Sequence, residues 1–403
     1  MTKDTHKNMT NKIFLTFNAG SSTIKIGVYR LINTQFTQVA FARVNLHETP
    51  ITLDIVKDFE SSQVKLQSPL TEDLHGVVEE VLTYFETHLL FDNLLAVGHR
   101  VVHGGDLYSG PIVIDQTAIK ALEKLIPLAP LHQPQALFII RAIARLRPNL
   151  KQTASFDTAF HQTQSNVIRH YAIPEALFEE GIKRFGFHGL SYQYIQSYLT
   201  QSFPAFANGK VVVAHLGSGA SLCAMDQGLS RDCSMGFSTL GGVPMETRCG
   251  DFDTGAILYL AHEKGLSTQQ IEHLLYKESG LLGISGISGD PRKLLISNQS
   301  SAKLAIEVFT LRCAGEIGRM MMTLGGLETL VFTGGIGEHQ PEIRAQICQR
   351  LFWLGVDIDQ DLNSQPTKEA RAINSLKSKI KVLVIPTNEE DVIAKQLVNT
   401  LAL

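Results

Sequence analysis

Two segments of the chain, about 200 residues apart, share one plan of a strand, a turn of small residues and a second strand. Residues 13–29 contain the turn NAGSST, and residues 211–225 contain the turn HLGSGAS. The apolar runs and alternations around each turn are typical of β-strands. This internal echo predicts two duplicated α/β domains with a cleft between them. The alternative is a local likeness, because hairpin turns commonly need Gly and Ser.

Strands and helices are predicted on both sides of these hairpins. Ser267 with Gln270 is predicted to form a capping box, and either Ser68 with Pro69 or Thr71 is predicted to begin the helix after Leu74. We expect domains of 1–160 plus 390–403 and of 161–389. Further predicted strands are 94–97, 330–332 and 382–385, and further predicted helices are 116–126, 134–146, 302–324, one from about Pro341 and one at the C-terminus.

Composition excludes several classes of protein. The 403 residues are 44% hydrophobic with a net charge of -3, and they contain no long run of Lys and Arg. Nucleic acid and anionic membrane are therefore not expected as partners. No apolar run approaches the roughly 20 residues of a membrane span. Five cysteines without a C-x-x-C pair favour a reducing compartment. We expect a cytoplasmic protein with a short, frayed N-terminal tail.

Three turns are candidates for binding phosphate, at 18–23, 216–221 and 333–338. Small residues let backbone N–H groups converge on anionic oxygens, and hydroxyl groups add donors. Lys25 follows the first turn and is a candidate for contact with a phosphate. The third turn, TGGIGE, fits neither the G-x-x-x-x-G-K-[ST] nor the G-x-G-x-x-G pattern. Each turn alone is equally well explained as a tight connection between elements.

Several charged residues stand in unusual glycine-rich surroundings. Arg100 lies in GHRVVHGG and Arg248 in METRCGDFD, where a planar guanidinium can bind an anion. His188, between Phe and Gly, is the histidine with the best local case for a functional role. Asp157 and Glu389 follow predicted strands and suit magnesium, which takes one or two carboxylates in kinases. Surface ion pairs, a structural histidine and an acidic helix start are the respective alternatives.

Together these segments resemble the acetate kinase family, which lies within the superfamily of acetate and sugar kinases, Hsp70 and actin. The matching strings occur in the family's order from residue 14 to 391. They are FNAGSSTIK, GHRVVHGG, LAPLHQP, SFDTAFHQT, RFGFHGLS, VAHLGSGAS, SMGF, TRCGDFD, ESGLLGISG, LVFTGGIGEH and IPTNEED. The resemblance implies two actin-like (ribonuclease H-like) domains, with the substrate and magnesium side on 1–160 plus 390–403 and the nucleotide-binding side on 161–389. It also implies a homodimer and a requirement for Mg²⁺, with Mn²⁺ as a substitute.

The resemblance also implies roles for individual residues. The residues implied in catalysis are Arg100, Asp157, His188 and Arg248. Those implied around the acyl group and carboxylate are Arg100, Val102, Leu131, His132 and Phe187. Those implied around ATP are Ser21, Thr23, Lys25, His215, Gly217, Ser218, Gly219, Asp290, Arg292, Gly335, Ile336 and Gly337. Asn18 and Glu389 are implied as magnesium ligands, with Asp157 holding or positioning the ion.

The implied reaction is reversible in-line transfer of the ATP γ-phosphate to acetate, which gives acetyl phosphate and ADP. A carboxylate is ionised at neutral pH and needs no general base. The alternatives are a propionate or other short-chain carboxylate kinase and, from a different class, an ATP-hydrolysing switch of the actin and Hsp70 type. The sequence departs from the family at several positions that leave acyl-chain and nucleotide preference open. They are Ser218, Thr239, Gly241, Val243, Glu246, Pro291 and His339.

Overall fold

A computed structural model describes residues 12–20, 23–32, 35–71, 73–88, 94–367 and 369–403. The predicted N-terminal tail lies outside these residues. The chain divides into two compact units, which are described separately below. The N-terminal unit holds the chain up to Ala159 together with Asn388–Leu403, and the C-terminal unit is Phe160–Thr387. The assignment of substrate to the first unit and nucleotide to the second stays a prediction.

The described residues of the N-terminal unit contain one mixed sheet of eight strands. The strand order is β5-β4-β3-β2-β1-β6-β8-β7. Strands β1 to β5 are joined antiparallel in sequence, whereas β6 runs parallel to both β1 and β8. The strands are β1 Lys12–Ala19, β2 Thr23–Ile32, β3 Gln35–Asn45, β4 Thr52–Lys57, β5 Glu60–Lys65, β6 Leu94–Val101, β7 Ile112–Val113 and β8 Lys151–Phe156.

Helices cover both faces of this sheet. Apolar residues of the helices α1 and α3 form one core with β1 to β4. On the opposite face, the C-terminal helix α16 packs Ala394, Leu397 and Val398 against Phe14 and Ala96. The chain end thereby returns to the N-terminal unit. The helices are α1 His75–His88, α2 Gln116–Glu123, α3 Gln133–Leu146 and α16 Glu389–Leu401, with a short 3-10 helix at Ile126–Leu128.

The sheet of the C-terminal unit repeats the central plan of the first sheet. Its order is β11-β10-β9-β12-β14-β13. Strand β9 pairs antiparallel with β10 and parallel with β12, as β1 pairs with β2 and β6. The echo seen in the sequence therefore extends to the order of six strands in each unit. The strands are β9 Val211–Leu216, β10 Ala220–Asp226, β11 Leu229–Cys233, β12 Thr329–Thr333, β13 Arg371–Ala372 and β14 Lys381–Val384.

The C-terminal unit also packs helices on its sheet. Helix α6 contributes Tyr192, Ile195 and Leu199 to a core with β9, β10 and β12. The 25-residue helix α12 buries a stripe that includes Phe309 and Ile317. The helices are α4 Asn166–Arg169, α5 Glu175–Glu179, α6 Gly189–Ser202, α7 Pro204–Ala207, α8 Thr254–His262, α9 Thr268–Lys277, α10 Gly280–Ser285, α11 Pro291–Leu295, α12 Ser300–Leu324, α13 Gly334–His339, α14 Pro341–Arg350 and α15 Gln360–Ser364, with 3-10 helices at Ala159–Thr163 and Phe352–Leu354.

Two local predictions are corrected by the structure. The start of α1 is held by Asp73, whose carboxylate accepts a hydrogen bond from the His75 backbone N–H at 3.2 Å. The predicted cap residues bond elsewhere, because the Ser68 hydroxyl donates to Glu80 and the Thr71 hydroxyl donates to Asp73. The segment TGGIGE, predicted as a turn, forms most of helix α13. The predicted capping box at the start of α9 is present.

Candidate active site

Arg100 is the centre of a charged cluster in the N-terminal unit. It lies near the end of β6, and its Nε and Nη2 atoms donate to Asp157 at 3.0 Å and 2.6 Å. Its Nη1 donates to the Asn18 Oδ1 at 3.1 Å. Burial alone would lower the pKa of Arg100, but the carboxylates of Asp157 and Glu389 outweigh it and raise that pKa. The guanidinium is therefore charged and held in a fixed orientation.

Asn18 joins this guanidinium to the first turn of α16. Its Nδ2 donates to Glu389 Oε2 at 2.9 Å and to Glu390 Oε1 at 3.0 Å. Glu390 is buried and was not predicted from the sequence, where only Glu389 of the acidic run NEED was selected as a magnesium ligand, with an acidic helix start as the alternative. The described residues hold no group of three His, Cys, Asp or Glu that could bind a metal. The oxygen donors of Asn18 and two carboxylates are those that Mg²⁺ prefers.

Two loops of the N-terminal unit are tied together beside Arg100. Val102 is buried in the loop after β6, and Leu131 and His132 lie just before α3. The fully buried Gln133 accepts from the His103 backbone N–H at 3.1 Å and donates to the His103 carbonyl at 3.0 Å. This pair of bonds links the loop that carries Val102 to the segment that carries Leu131 and His132. Gln133 itself carried no signal in the sequence beyond its place in LAPLHQP.

The first predicted phosphate turn is partly described. The backbone N–H of Gly20 donates to the Thr23 carbonyl at 2.8 Å, next to the paired ends of β1 and β2. Lys25 lies directly opposite Asn18 in the register of these two strands. Its side chain is exposed at the same end of the hairpin. Ser21 lies outside the described residues.

Two stacked imidazoles lie near the second turn, in the C-terminal unit. The rings of His188 and His215 are 4.4 Å apart between centroids and inclined by 19°. His188 precedes α6 in a left-handed backbone conformation, with φ at 57°. The carbonyl of the preceding residue, Phe187, accepts from His161 Nε2 at 2.9 Å. Phe187, predicted at the acyl group, is buried next to the imidazole pair.

Arg248 approaches the same turn from the loop after β11. Its Nη1 donates to the Thr239 carbonyl at 2.7 Å. A Cβ atom added to Gly219 would lie 2.6 Å from Arg248 Nη2 and 3.4 Å from His188 Nε2. The absence of a side chain at Gly219 thus leaves space bordered by two nitrogen donors. Such convergent donors suit an anionic group with several oxygens.

The second turn, at 216–221, also borders a cavity of about 240 Å³. Among the residues predicted to bind ATP, Gly217, Ser218, Asp290, Arg292, Gly335 and Ile336 line it, together with Glu246, Pro291, His339 and Gln340. Gly337 does not line it and packs against β9 and β12. Arg292 and Asp290 form an ion pair at its edge.

Glu246 is an unusual carboxyl group in this wall. Burial, followed by the charge of Asp290, raises the pKa of Glu246.

A cavity of about 240 Å³ holds part of a nucleotide, because whole drug-sized ligands occupy about 300–1,000 Å³. The turn 217–219 therefore connects a cavity with the size of a nucleoside site to the nitrogen donors of Arg248 and His188.

The chain has two sheets of one plan, and convergent nitrogen donors lie beside a cavity in its C-terminal unit. These features are typical of the α/β proteins that bind phosphorylated ligands. A model of the acetokinase family matches residues 13–395. An acetate kinase of Rhodopseudomonas palustris is 43% identical over 389 residues, which cover 96% of this chain and 97% of the relative. The chain belongs to the acetokinase family, a family of phosphotransferases that use a carboxyl group as acceptor.

Solved structures agree with this assignment. The crystal structure of an acetate kinase from Porphyromonas gingivalis has a TM-score of 0.86 and 32% identity, covering 97% of this chain and 100% of that one. A propionate kinase from Francisella tularensis has a TM-score of 0.87 and 34% identity, covering 96% and 98%. The predicted family and the actin-like α/β fold are confirmed. Among the helices of the described residues, none has the length and apolarity needed to cross a membrane.

Proposed function

We propose that the protein transfers the γ-phosphate of ATP reversibly to acetate, giving acetyl phosphate and ADP. The observation that carries this proposal is the convergence of Arg248 Nη2 and His188 Nε2 on the open side of Gly219, next to the nucleoside-sized cavity. Membership in the acetokinase family and a relative named acetate kinase at 43% identity add independent support.

The proposed chemistry is one displacement at phosphorus. A carboxylate oxygen of acetate attacks the γ-phosphorus, and the bond from that phosphorus to the β,γ-bridging oxygen breaks with its electron pair leaving on ADP. No proton is removed from the acceptor, because acetate is already ionised at neutral pH. Arg248 and His188 stabilise the equatorial oxygens of the transferring group. Glycines at the turn 217–219 admit the phosphates close to these donors.

We assign the acceptor carboxylate to Arg100. The bonds to Asp157 and Asn18 use one N–H each of Nε, Nη1 and Nη2, and a guanidinium carries five such donors. Among the contacts of the described residues, one N–H on Nη1 and one on Nη2 remain for a carboxylate, which Arg binds bidentately. Asp157 orients the guanidinium in this proposal. Val102, Leu131 and His132, held near it through Gln133, would surround the methyl group.

Mg²⁺ is proposed at the carboxylates of Glu389 and Glu390, with Asn18 beside them and Mn²⁺ as a substitute. When bound, the ion would neutralise phosphate charge. Glu389→Gln and Glu390→Gln should each raise the Mg²⁺ concentration for half-maximal rate by about 10-fold. Glu369→Gln, a change of the same type on the exposed residue Glu369, is the control. An unchanged Mg²⁺ dependence in both active-site variants would exclude these ligands.

The activity is tested by incubating the protein with ATP, Mg²⁺ and acetate. Hydroxylamine traps acetyl phosphate as a hydroxamate, while ADP is measured in parallel. We expect equal amounts of both products, and no ADP when acetate is omitted. ADP formation that continues without acetate would instead support an ATP-hydrolysing switch.

Propionate is a second candidate acceptor, favoured by the similarity to the Francisella tularensis propionate kinase. One methylene changes discrimination by only about 1–3 kcal/mol in an apolar pocket. The ratio of kcat/KM values for acetate, propionate and butyrate decides between them. We expect acetate to have the largest value, and a larger value for propionate would reassign the acceptor.

A homodimer is proposed from an exposed apolar helix. Helix α8 has the sequence TGAILYLAH, yet none of its residues is buried. Leu258 and Tyr259 are 58% and 53% exposed, and Phe252 just before the helix is 44% exposed. Phe252 and Leu311 of α12 also line a cavity of about 770 Å³. An apolar surface of this kind is typical of an interface, and we propose that a second copy of the chain covers it.

Sedimentation velocity tests the dimer. Leu258→Asp should convert the protein to a monomer, because a charge would be buried at the interface. Val167→Asp is the matched control, since Val167 is 86% exposed on helix α4. A wild-type protein that sediments as a monomer at micromolar concentration would contradict the proposal.

A cytoplasmic location is also proposed. ATP as the phosphate donor supports it, as do the five cysteines, which are all free thiols. Recovery of the enzyme in an oxidising compartment after cell fractionation would contradict it.

A further inference from the structure

In the stacked imidazoles of His188 and His215, the Nε2 atoms both lie near the second turn. His188 Nε2 lies 3.4 Å from the position of a Cβ on Gly219, and His215 Nε2 lies 3.8 Å from the position of a Cβ on Gly217. Their Nδ1 atoms each contact a serine hydroxyl at 2.8 Å, in Ser221 and Ser191 respectively. In a neutral imidazole, Nδ1 either accepts a hydrogen bond from its serine or donates one to it. The ring proton is on Nε2 in the first case and on Nδ1 in the second.

For His188, the hydroxyl partner is itself held by a tyrosine. Ser221 Oγ lies 2.5 Å from the Tyr192 hydroxyl, and both side chains are fully buried. A phenol is a stronger donor than an alcohol, so Tyr192 donates to Ser221. A serine hydroxyl has one proton and two acceptor positions. Ser221 then donates its own proton to His188 Nδ1, and the ring proton of the neutral imidazole is on Nε2.

For His215, a similar chain runs through Ser191. Ser191 Oγ lies 2.9 Å from the hydroxyl of Thr387, and Ser191 is fully buried. The backbone N–H of Thr387 donates to Glu338 Oε1 at 3.1 Å, and the same oxygen accepts from Gly334 at 2.9 Å. Thr387 is thereby held beside helix α13, with its hydroxyl within hydrogen-bond distance of Ser191. When Thr387 donates this bond, the proton of Ser191 is left for His215 Nδ1.

We propose that Ser191 and Tyr192, neighbours in the first turn of α6, are positioning residues that keep the proton of both imidazoles on Nε2. Two N–H donors then point at the turn 217–219, where an anionic phosphoryl group would be stabilised. The catalytic consequence rests on the proposed phosphoryl transfer. The positions of the ring protons do not, and they are measured without any substrate.

The first test is nitrogen NMR of the wild-type protein with ¹⁵N-labelled histidine at pH 8. Spectra of His188→Gln and His215→Gln assign the two rings by the loss of their signals. We expect a protonated Nε2 and an unprotonated Nδ1 in both rings. A protonated Nδ1 in either ring would overturn the assignment of the corresponding positioning residue, whatever the activity.

The second test uses hydroxyl deletions with matched controls. Tyr192→Phe and Ser191→Ala should each lower kcat by about 10–100-fold with little change in the KM for ATP. In each variant, the corresponding ring should lose its single Nε2–H form, so that NMR shows a mixture of the two ring tautomers. Tyr198→Phe and Ser197→Ala repeat the same changes later on α6, where the Ser197 hydroxyl bonds only a helix carbonyl among the described residues.

The outcomes separate this inference from the proposed function. A lower kcat with unchanged ring protonation would overturn the positioning role, because the effect would then be structural. Unchanged kcat in folded Tyr192→Phe would overturn its catalytic relevance. Wild-type protein that makes no acetyl phosphate, yet has both protons on Nε2, would refute the function while leaving the proton assignment intact.

Discussion

Replacement of Gly219 by alanine tests the site with the smallest possible change. The new methyl group would lie 2.6 Å from Arg248 Nη2, closer than the roughly 3.5 Å at which such atoms normally meet. The backbone at Gly219 is not left-handed, so alanine causes no strain in the main chain. The clash falls on the far end of a flexible side chain. We therefore expect Arg248 to move by about 1 Å while the fold persists.

The expected loss of rate follows from the displacement of Arg248. The Thr239 carbonyl holds the other Nη atom of Arg248 at 2.7 Å, so the guanidinium cannot move without weakening this bond. A displacement of about 1 Å at a reacting group can cost roughly 100-fold in rate. This corresponds to about 2.7 kcal/mol of transition-state stabilisation. The free energy of unfolding should change by less than about 1 kcal/mol.

The assay measures kcat and both KM values by hydroxamate formation, with thermal unfolding in parallel. Gly318→Ala is the matched control, because a Cβ on Gly318 meets no atom within 4 Å on helix α12. It should keep its kcat and gain up to about 1 kcal/mol of stability. Wild-type kcat in a folded Gly219→Ala protein would refute the placement of the phosphoryl group beside Gly219. A rise in the KM for ATP alone would refute it equally.

Three further predictions concern other parts of the C-terminal unit. Arg248→Ala should lower kcat by about 10²–10³ without lowering the unfolding temperature, and near-normal turnover would remove its transition-state role. Burial lowers the pKa of His161 to about 4 from 6.5. As pH falls, the imidazole of His161 is protonated in the unfolded chain before it is protonated in the folded protein. The free energy of unfolding should therefore decrease by about 3 kcal/mol between pH 6.5 and 4. Thermal unfolding at several pH values should show this slope, and His161→Gln should reduce it. Arg344→Met should cost on the order of 3 kcal/mol in urea unfolding, because the buried guanidinium binds the Gly337 and Glu338 carbonyls.

The strands and long helices could be predicted because their signals are local. Apolar runs such as VVVAH match buried strands, and the periodic stretch after Leu74 matches helix α1. Helix α13 was missed because its three glycines have low helix propensity. Side-chain contacts compensate, since the Glu338 carboxylate accepts from the first N–H of the helix and Arg344 binds its last carbonyls. These partners lie only four to seven residues apart, but the pairing depends on side-chain geometry that residue types alone do not give.

In the candidate site too, the types of the important residues could be predicted from the sequence, whereas their contact partners could not. Arg100, His188 and Arg248 could be selected because charged side chains among glycines are unusual, and the structure gives each a defined environment. Glu390 could not, because its role depends on Asn18, which lies 372 positions away in the sequence. Ser191 and Tyr192 resemble ordinary helix residues until β9 and β10 bring His215 and Ser221 to them. The residues that touch a ligand leave chemical signatures in a sequence, whereas the residues that orient them are defined by the contacts that folding creates.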